Sequence, residues 1–381
     1  MYGSVAPYAV LMIWMYAGFI ALVLLLLALD LGVFHRTAHV VAVREALKWS
    51  AFWIGLGLAF AVFIYFGYEH HWLGLGLTPD LMTVAPKGVA GLGLVYNDGT
   101  SATVKYLTGY LVEKSLAVDN IFVIAMLFGF FAVPAIYQHR VLFWGIIGAL
   151  VMRGAMIAVG AQLIQRFTWI IYVFGAFLIA TGIKMLLLKV GPTDPNQNFV
   201  VRLMRRFFSV TERFHGPHFF VRAGSPASHV AATPGAALAA DLVVDAARPG
   251  TVLATPLFLA LVMVEFTDLI FAVDSIPAIF AITGDPFLVF TSNVFAILGL
   301  RSLYFALAGM IDTFRYLKVS LALVLMVVGA KMMTHVWLKS VVGPHFNLYL
   351  LALVLLILAG GVVASLLFSK RKPPGGFHQA A

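Results

Sequence analysis

Cysteine is absent from this chain. That excludes disulfides, thiolate metal sites, iron–sulfur clusters and thiol redox chemistry from its own side chains. Charge is scarce too: Asp, Glu, Lys and Arg make up 11% of the 381 residues, against about a quarter in an average soluble protein. No side-chain charge precedes the first apolar run, which starts near Pro7. The basic n-region of a secretory signal peptide is therefore missing, and this segment is expected to stay as a helix. Nucleophile–base motifs and cofactor fingerprints are also lacking. The chain is expected not to be an enzyme and to need no cofactor.

What is present is apolar. Hydrophobic residues reach 62% and the mean hydropathy is +0.99, more than a water-soluble core can hide, so the excess must face lipid. The fold class expected is an all-α integral membrane protein, one transmembrane domain over residues 1–381. A membrane helix needs roughly 20 mostly apolar residues. Nine stretches qualify: Pro7–Val33, Leu47–Tyr68, Val104–Phe131, Arg140–Ile164, Thr168–Leu188, Thr255–Ile282, Pro286–Met310, Leu317–Val336 and Phe346–Phe368.

The 25 Lys and Arg outnumber the 16 Asp and Glu, a net charge of +9. Their distribution reads as a topology signal and not as a nucleic-acid surface. With the N-terminus outside and the C-terminus cytoplasmic, the outer loops hold only Lys87, Lys105, Arg166 and Lys339, while sixteen bases fall inside. The longest loop, residues 190–250, is then cytoplasmic. Its Arg-rich aromatic stretch Phe199–Arg222 reads equally as a segment lying along the anionic inner leaflet or as a solvated linker. Ala223–Ala247, rich in Ala, Pro and Gly, is expected to be flexible. The outer loop Glu69–Ser101 carries no recognisable motif.

Five bases and six acids fall inside the spans: Lys114, Arg153, Lys184, Arg301 and Lys331, with Asp30, Glu113, Asp119, Glu265, Asp268 and Asp274. At about 2.5–3.5 kcal/mol for each central charge, leaving them unpaired in lipid would cost on the order of 20 kcal/mol or more. They must face one another, water or a bound ion. Arg153 and Arg301 are candidates to pair with Asp119 and Asp274 or to gate a site; Lys184 and Lys331, near span ends, are expected to snorkel to the interface. Glu265, Asp268 and Asp274 crowd one helix, where like charges repel unless protons or cations intervene.

The spans repeat. Leu116-Ala-Val-Asp119-Asn120-Ile121 is echoed by Phe271-Ala-Val-Asp274-Ser275-Ile276, and each Asp follows another acid by six residues, Glu113 and Asp268. Arg153 and Arg301 come next, then Thr181-Gly-Ile-Lys184-Met185 and Val328-Gly-Ala-Lys331-Met332. Residues 104–188 and 255–336 thus form two three-helix repeats, inverted because each has an odd number of spans. Such repeats place substrate near the midplane on interrupted helices, and Pro277 is the expected interruption. Glu113, Asp119, Asn120, Glu265, Asp268, Asp274, Ser275 and, more peripherally, Asp30 offer hard oxygen donors suited to Mn²⁺, Mg²⁺ or Ca²⁺. Protons share the same carboxylates, so metal–proton antiport is chemically reasonable.

At these residues the chain resembles the TerC family, including its Alx branch. The resemblance is carried by Leu29-Asp-Leu-Gly-Val-Phe-His35, Gly109-Tyr-Leu-Val-Glu-Lys-Ser-Leu-Ala-Val-Asp-Asn120, Tyr137-Gln-His-Arg-Val-Leu-Phe-Trp-Gly145, Val264-Glu-Phe-Thr-Asp-Leu-Ile-Phe-Ala-Val-Asp-Ser-Ile-Pro277 and Phe290-Thr-Ser-Asn-Val-Phe-Ala-Ile-Leu-Gly-Leu-Arg301. It implies a relative of LysE-type exporters in the bacterial inner membrane, efflux of Mn²⁺, an association with tellurite resistance, and acidic site positions at Glu113, Asp119, Glu265, Asp268, Asp274 and Asp30. The stretch after Arg222 departs from the family pattern. Besides an exporter, a metal-sensing or scaffold membrane protein of a stress-resistance or protein-insertion complex would use the same acids.

Overall fold

Long apolar stretches cannot leave backbone N–H and C=O groups unpaired in lipid, so they close their own hydrogen bonds as helices. The computed structural model describes residues 6–30, 42–84, 94–167, 169–187, 199–233, 241–307, 317–342 and 346–367. In chain order they form α1 (Ala6–Leu29), α2 (Val43–Glu69), β1 (Pro79–Val84), β2 (Leu94–Tyr96), α3 (Gly99–Phe130), α4 (Ala135–Arg166), α5 (Ile170–Leu187), α6 (Phe199–Phe207), β3 (Phe220–Arg222), α7 (Leu242–Ala246), β4 (Val252–Ala254), α8 (Pro256–Phe280), α9 (Pro286–Leu298), α10 (Leu300–Leu307), α11 (Leu317–Val342) and α12 (Phe346–Leu367).

By length and composition, six helices among the described residues can cross a membrane: α1, α2, α4, α5, α8 and α12. The pair α9–α10, bent by 40°, makes a seventh span if counted as one. The 32-residue α3 carries Lys105, Glu113, Lys114 and Asp119, and in α11 the apolar stretch is Val319–Thr334. Large apolar side chains such as Trp14, Leu25, Val151 and Leu356 point outward. The protein is a multi-pass, all-α integral membrane protein.

Helices pair in a definite pattern. α3 packs on α9, α4 on α8, and α5 runs along α11. Glycines set the last contact: a Cβ on Gly329 would sit 2.8 Å from the Gly175 carbonyl oxygen, and one on Gly182 would sit 2.8 Å from that of Ala322. Small residues let the two backbones touch.

The expected position of the break is corrected. Pro277 does not interrupt α8, which is helical to Phe280. It lies in the last turn, where its ring and missing N–H disturb a single hydrogen bond of the ladder. The break falls instead within the expected seventh span, at Gly299 between α9 and α10. Charged side chains cap two helix C-termini: Lys114 Nζ donates to the Ala296 carbonyl (3.0 Å) in the last turn of α9, and Lys331 Nζ to that of Ala281 (2.6 Å), just past α8. Cations suit the unpaired carbonyls at a helix C-terminus.

The described part of Ala223–Ala247 is folded, contrary to expectation. β3 pairs antiparallel with β4, and Val221, Ala223, Val244 and Leu253 form a small core. Asp241 accepts hydrogen bonds from the backbone N–H of Arg213, Val243 and Val244 and lies 3.2 Å from His215 Nε2. One capping carboxylate thereby replaces the long apolar pattern that sequence reading looks for.

At the other end of the bundle, the β1–β2 hairpin is locked to the turn between α8 and α9. Buried Asp80 accepts from Lys105 Nζ (2.9 Å), Thr283 Oγ1 (2.5 Å), the Gly284 N–H (2.7 Å) and Asn97 Nδ2 (3.3 Å). Asp285 caps α9 through the Phe287 N–H (3.0 Å) and accepts from the Tyr68 hydroxyl (2.7 Å). Burial alone would raise the Asp80 carboxyl, but Lys105, Thr283 and Gly284 together hold it below the usual carboxylate range. Burial, reinforced by the neighbouring Asp80 charge, pushes Asp285 upward despite the Tyr68 hydrogen bond.

Candidate cation site

Midway along the bundle, Arg153 of α4 gathers side chains from three other helices. Its Nε and one terminal nitrogen grip the two oxygens of Asp268 on α8, at 3.2 and 3.0 Å. The other terminal nitrogen donates to Glu113 of α3, to Asn293 Oδ1 of α9 (2.8 Å) and to Ser275 Oγ of α8 (3.4 Å). Asn120 Nδ2 completes the group with a 3.3 Å bond to Asp268. All six side chains are buried. A planar guanidinium with five donors is the one side chain able to bridge this many acceptors.

The cluster is not saturated. The second oxygen of Glu113, the Asn120 Oδ1 and the Asn293 Nδ2 are buried and have no hydrogen-bond partner among the described residues. Beside them lies a cavity of about 40 Å³, its polar lining made by Glu113, Asn120, Arg153, Thr181, Asp274 and Ser275 and its walls by Leu116, Met185, Phe271 and Leu325. One water needs roughly 10–15 Å³ measured this way, so the space suits one ion with a water or two. Asp274 accepts from Thr181 Oγ1 of α5 at 3.3 Å. The cavity therefore draws on α3, α4, α5, α8 and α11.

The residues singled out from sequence divide into three groups. Glu113, Asn120, Arg153, Asp274 and Ser275 meet at the cavity, and Asp268 stands behind Arg153. Asp119 belongs to α3, but its side chain lies outside the described residues. Glu265 and Asp30 are elsewhere. Glu265 presses its carboxylate on Gly148 of α4, where any Cβ would collide with it; nine residues of unbroken helix turn it away from Asp274. Its Oε2 is buried and without a hydrogen bond among the described residues.

The expected arginine pairings are corrected. Arg153 pairs with Glu113 and Asp268, and Arg301 with Asp30 at 2.7 Å, not with Asp274; a pairing with Asp119 lies outside the described residues. The reason is the bend at Gly299, which starts a new helix just before Arg301 and turns that side chain toward the end of α1. Lys331 does not snorkel; it is buried on the Ala281 carbonyl. Lys184 is exposed. Sequence reasoning missed Asn293 and Thr181 as site residues, although both lie in strings already quoted, Thr-Ser-Asn293 and Thr181-Gly-Ile-Lys184. Among the described residues, no three His, Cys, Asp or Glu side chains converge in the manner of a preformed metal cage. Amide and hydroxyl oxygens make up the remainder of the lining.

Over residues 98–373 the sequence matches the model of the integral membrane protein TerC family. The chain belongs to the TerC family. Its TerC relatives span nearly the same length. A membrane protein of Myxococcus xanthus described as uncharacterized is 44% identical over 94% of each chain. In Salmonella typhi and in Escherichia coli K12, proteins named Alx and proposed to be membrane-bound redox modulators are 40% identical over 90% of this chain and 93% of theirs. No solved structure matches this TerC chain.

Proposed function

We propose that this TerC protein is a transporter, not an enzyme, and exports divalent metal ions, Mn²⁺ foremost, through the cavity beside Arg153. The observation that carries the reading is the pair of unbonded oxygens, Glu113 Oε2 and Asn120 Oδ1, buried beside a cavity that Asp274, Ser275 and Thr181 also line. Polar groups left unpaired in a membrane interior are expensive. An oxygen-lined hollow of this size favours a hard dication. With their carboxylates ionised, Glu113, Asp268 and Asp274 outnumber the charges of Arg153 and of Lys184 near Asp274, so the group keeps a net negative charge that suits a cation.

Helix pairing supports the inverted-repeat reading, with α3–α5 as one unit and α8–α11 as the other. The first helix of each packs on the second of the other, and the third helices pack together. Aligning Lys184 with Lys331 aligns Gly182 with Gly329 and Gly175 with Ala322. The close approaches are then reciprocal, Gly175 to Gly329 and Gly182 to Ala322, as a two-fold axis requires. Nine spans, with the N-terminus outside, the C-terminus cytoplasmic and the bacterial inner membrane as the site of action, complete the proposal. Proton coupling through the same carboxylates fits it.

The absence of a three-ligand cluster among the described residues favours a second reading, a sensor or scaffold that binds metal weakly without moving it. The redox description of the Alx relatives, carried over, would have to act indirectly, because this chain has no thiol. Purified protein in sealed proteoliposomes loaded with a manganese-quenched fluorophore separates these readings. Mn²⁺ entry that Asp274→Asn abolishes is expected. Binding without entry, with or without a pH gradient, refutes export.

A further inference from the structure

Remote from the cation site, α6 presents a surface that transport does not use. It packs Val201 and Met204 into the cluster that holds Leu257 and Ala260 of α8 and Phe128 of α3. Arg202, Arg205 and Arg206, spaced three and four apart, share another face and are exposed. Between the two faces, Phe199 and Phe207 are 67% and 69% exposed. Phe208, four residues after Met204, turns toward α8: its ring lies 5.7 Å from that of Phe258 in the first turn of α8, and Phe220 lies tilted 4.4 Å from Phe258. A recess of about 500 Å³ opens alongside, walled by Phe130, Phe131, Phe208 and Leu259, with Arg205 and Glu212 at its polar side.

Exposed phenylalanines beside arginines gain nothing in water. At a bilayer interface the rings enter the acyl region while guanidinium groups meet phosphate. The recess sits at helix ends: α6 abuts the start of α8, whose Pro256 and Leu259 line it, and Phe130 and Phe131 close α3. We propose that α6 and this recess bind an anionic phospholipid, its headgroup on Arg202, Arg205 and Arg206 and its acyl chains along Phe199, Phe207 and Phe208. Zwitterionic lipids bring the same phosphate with a cation that guanidinium groups repel, so the site discriminates by net charge.

Native mass spectrometry of the full detergent-solubilised chain, titrated with phosphatidylglycerol or phosphatidylcholine of matched acyl chains, tests this. Wild type should hold phosphatidylglycerol at least tenfold more tightly, given about fivefold per arginine near an anionic surface. Arg202→Gln/Arg205→Gln/Arg206→Gln should erase the preference, and the triple Lys variant should retain most of it. Phe199→Ser/Phe207→Ser should weaken both lipids alike, and inorganic phosphate should not compete. Equal affinity of wild type for the two lipids, or an unchanged preference in the Gln variant at wild-type helicity, overturns the proposal. So does a dimer that lipid leaves intact and Phe207→Asp dissolves, which would assign the face to a second copy.

Discussion

Replacing Lys105 with Met tests the lock between the β1–β2 hairpin and the α8–α9 turn. Methionine keeps most of the side-chain volume and removes the charge, so the cost is electrostatic. Deleting one partner of a buried ion pair costs about 3–5 kcal/mol, because the other charge stays buried. Here Asp80 keeps the Thr283 hydroxyl, the Gly284 N–H and the Asn97 amide, which points to the low end, about 3 kcal/mol. Asp80→Asn in the same background removes the stranded charge. The double variant should therefore cost about 2 kcal/mol less than the two single changes summed.

The assay is reversible unfolding of purified protein in mixed micelles titrated with a denaturing detergent, read by helicity. The pH dependence has a defined sign. Asp80 is held below its unfolded value of about 3.9, so its contribution to wild-type stability is complete above that value and is lost as pH falls through the folded one. Without Lys105 the carboxyl takes up a proton more readily, and the penalty should shrink between pH 7 and pH 4. A Lys105→Met cost below about 1 kcal/mol, strictly additive changes, or a penalty that grows on acidification would refute the reasoning.

Four further outcomes are expected. Arg153→Gln strands Glu113 and Asp268 and should cost about 3–5 kcal/mol of stability, partly restored by millimolar Mn²⁺ in the same unfolding assay. Asp274→Asn should weaken Mn²⁺ binding at least about tenfold by calorimetry, roughly 1.4 kcal/mol for one lost anionic ligand, while helicity stays unchanged. The cysteine-free chain makes Thr181→Cys a clean reporter: a small methanethiosulfonate reagent should label it, and Mn²⁺ should slow labelling. Gly329→Ala drives a methyl toward the Gly175 carbonyl oxygen and should destabilise by about 1–3 kcal/mol, a loss that the same unfolding curves measure.

What the sequence made legible follows from the range of the forces involved. Apolar runs disclose membrane helices because each residue's preference for lipid is local and additive. The pairing of repeat motifs was legible for the same reason, since Asp119 and Asp274 share the Ala-Val before them and the Ile two residues after. Partner choice was not. Arg153 could reach any of several carboxylates, and what decided among them was a bend at Gly299 and the packing of α4 on α8, neither of which has a local signature. Pro277 misled because a proline's effect depends on its distance from the helix end, and the end at Phe280 was set by the turn that Asp80 and Lys331 hold. Asp80 itself was invisible, as one acid in a Gly-rich loop whose partners lie 25 and 203 residues away along the chain.

The two copies share the acid pairs Glu113/Asp268 and Asp119/Asp274 but send their arginines to different places, and that difference bears on the charge of the proposed site. Glu113 and Asp268 hold equivalent positions, and a single arginine serves both. Its repeat counterpart, Arg301, is drawn away by Asp30 on α1, a helix outside either repeat. Were both arginines at the cavity, it would carry one more positive charge, and holding Arg301 aside keeps it more negative. On the proposed reading, Asp30 is then a positioning residue that makes the cavity more attractive to a cation without lining it.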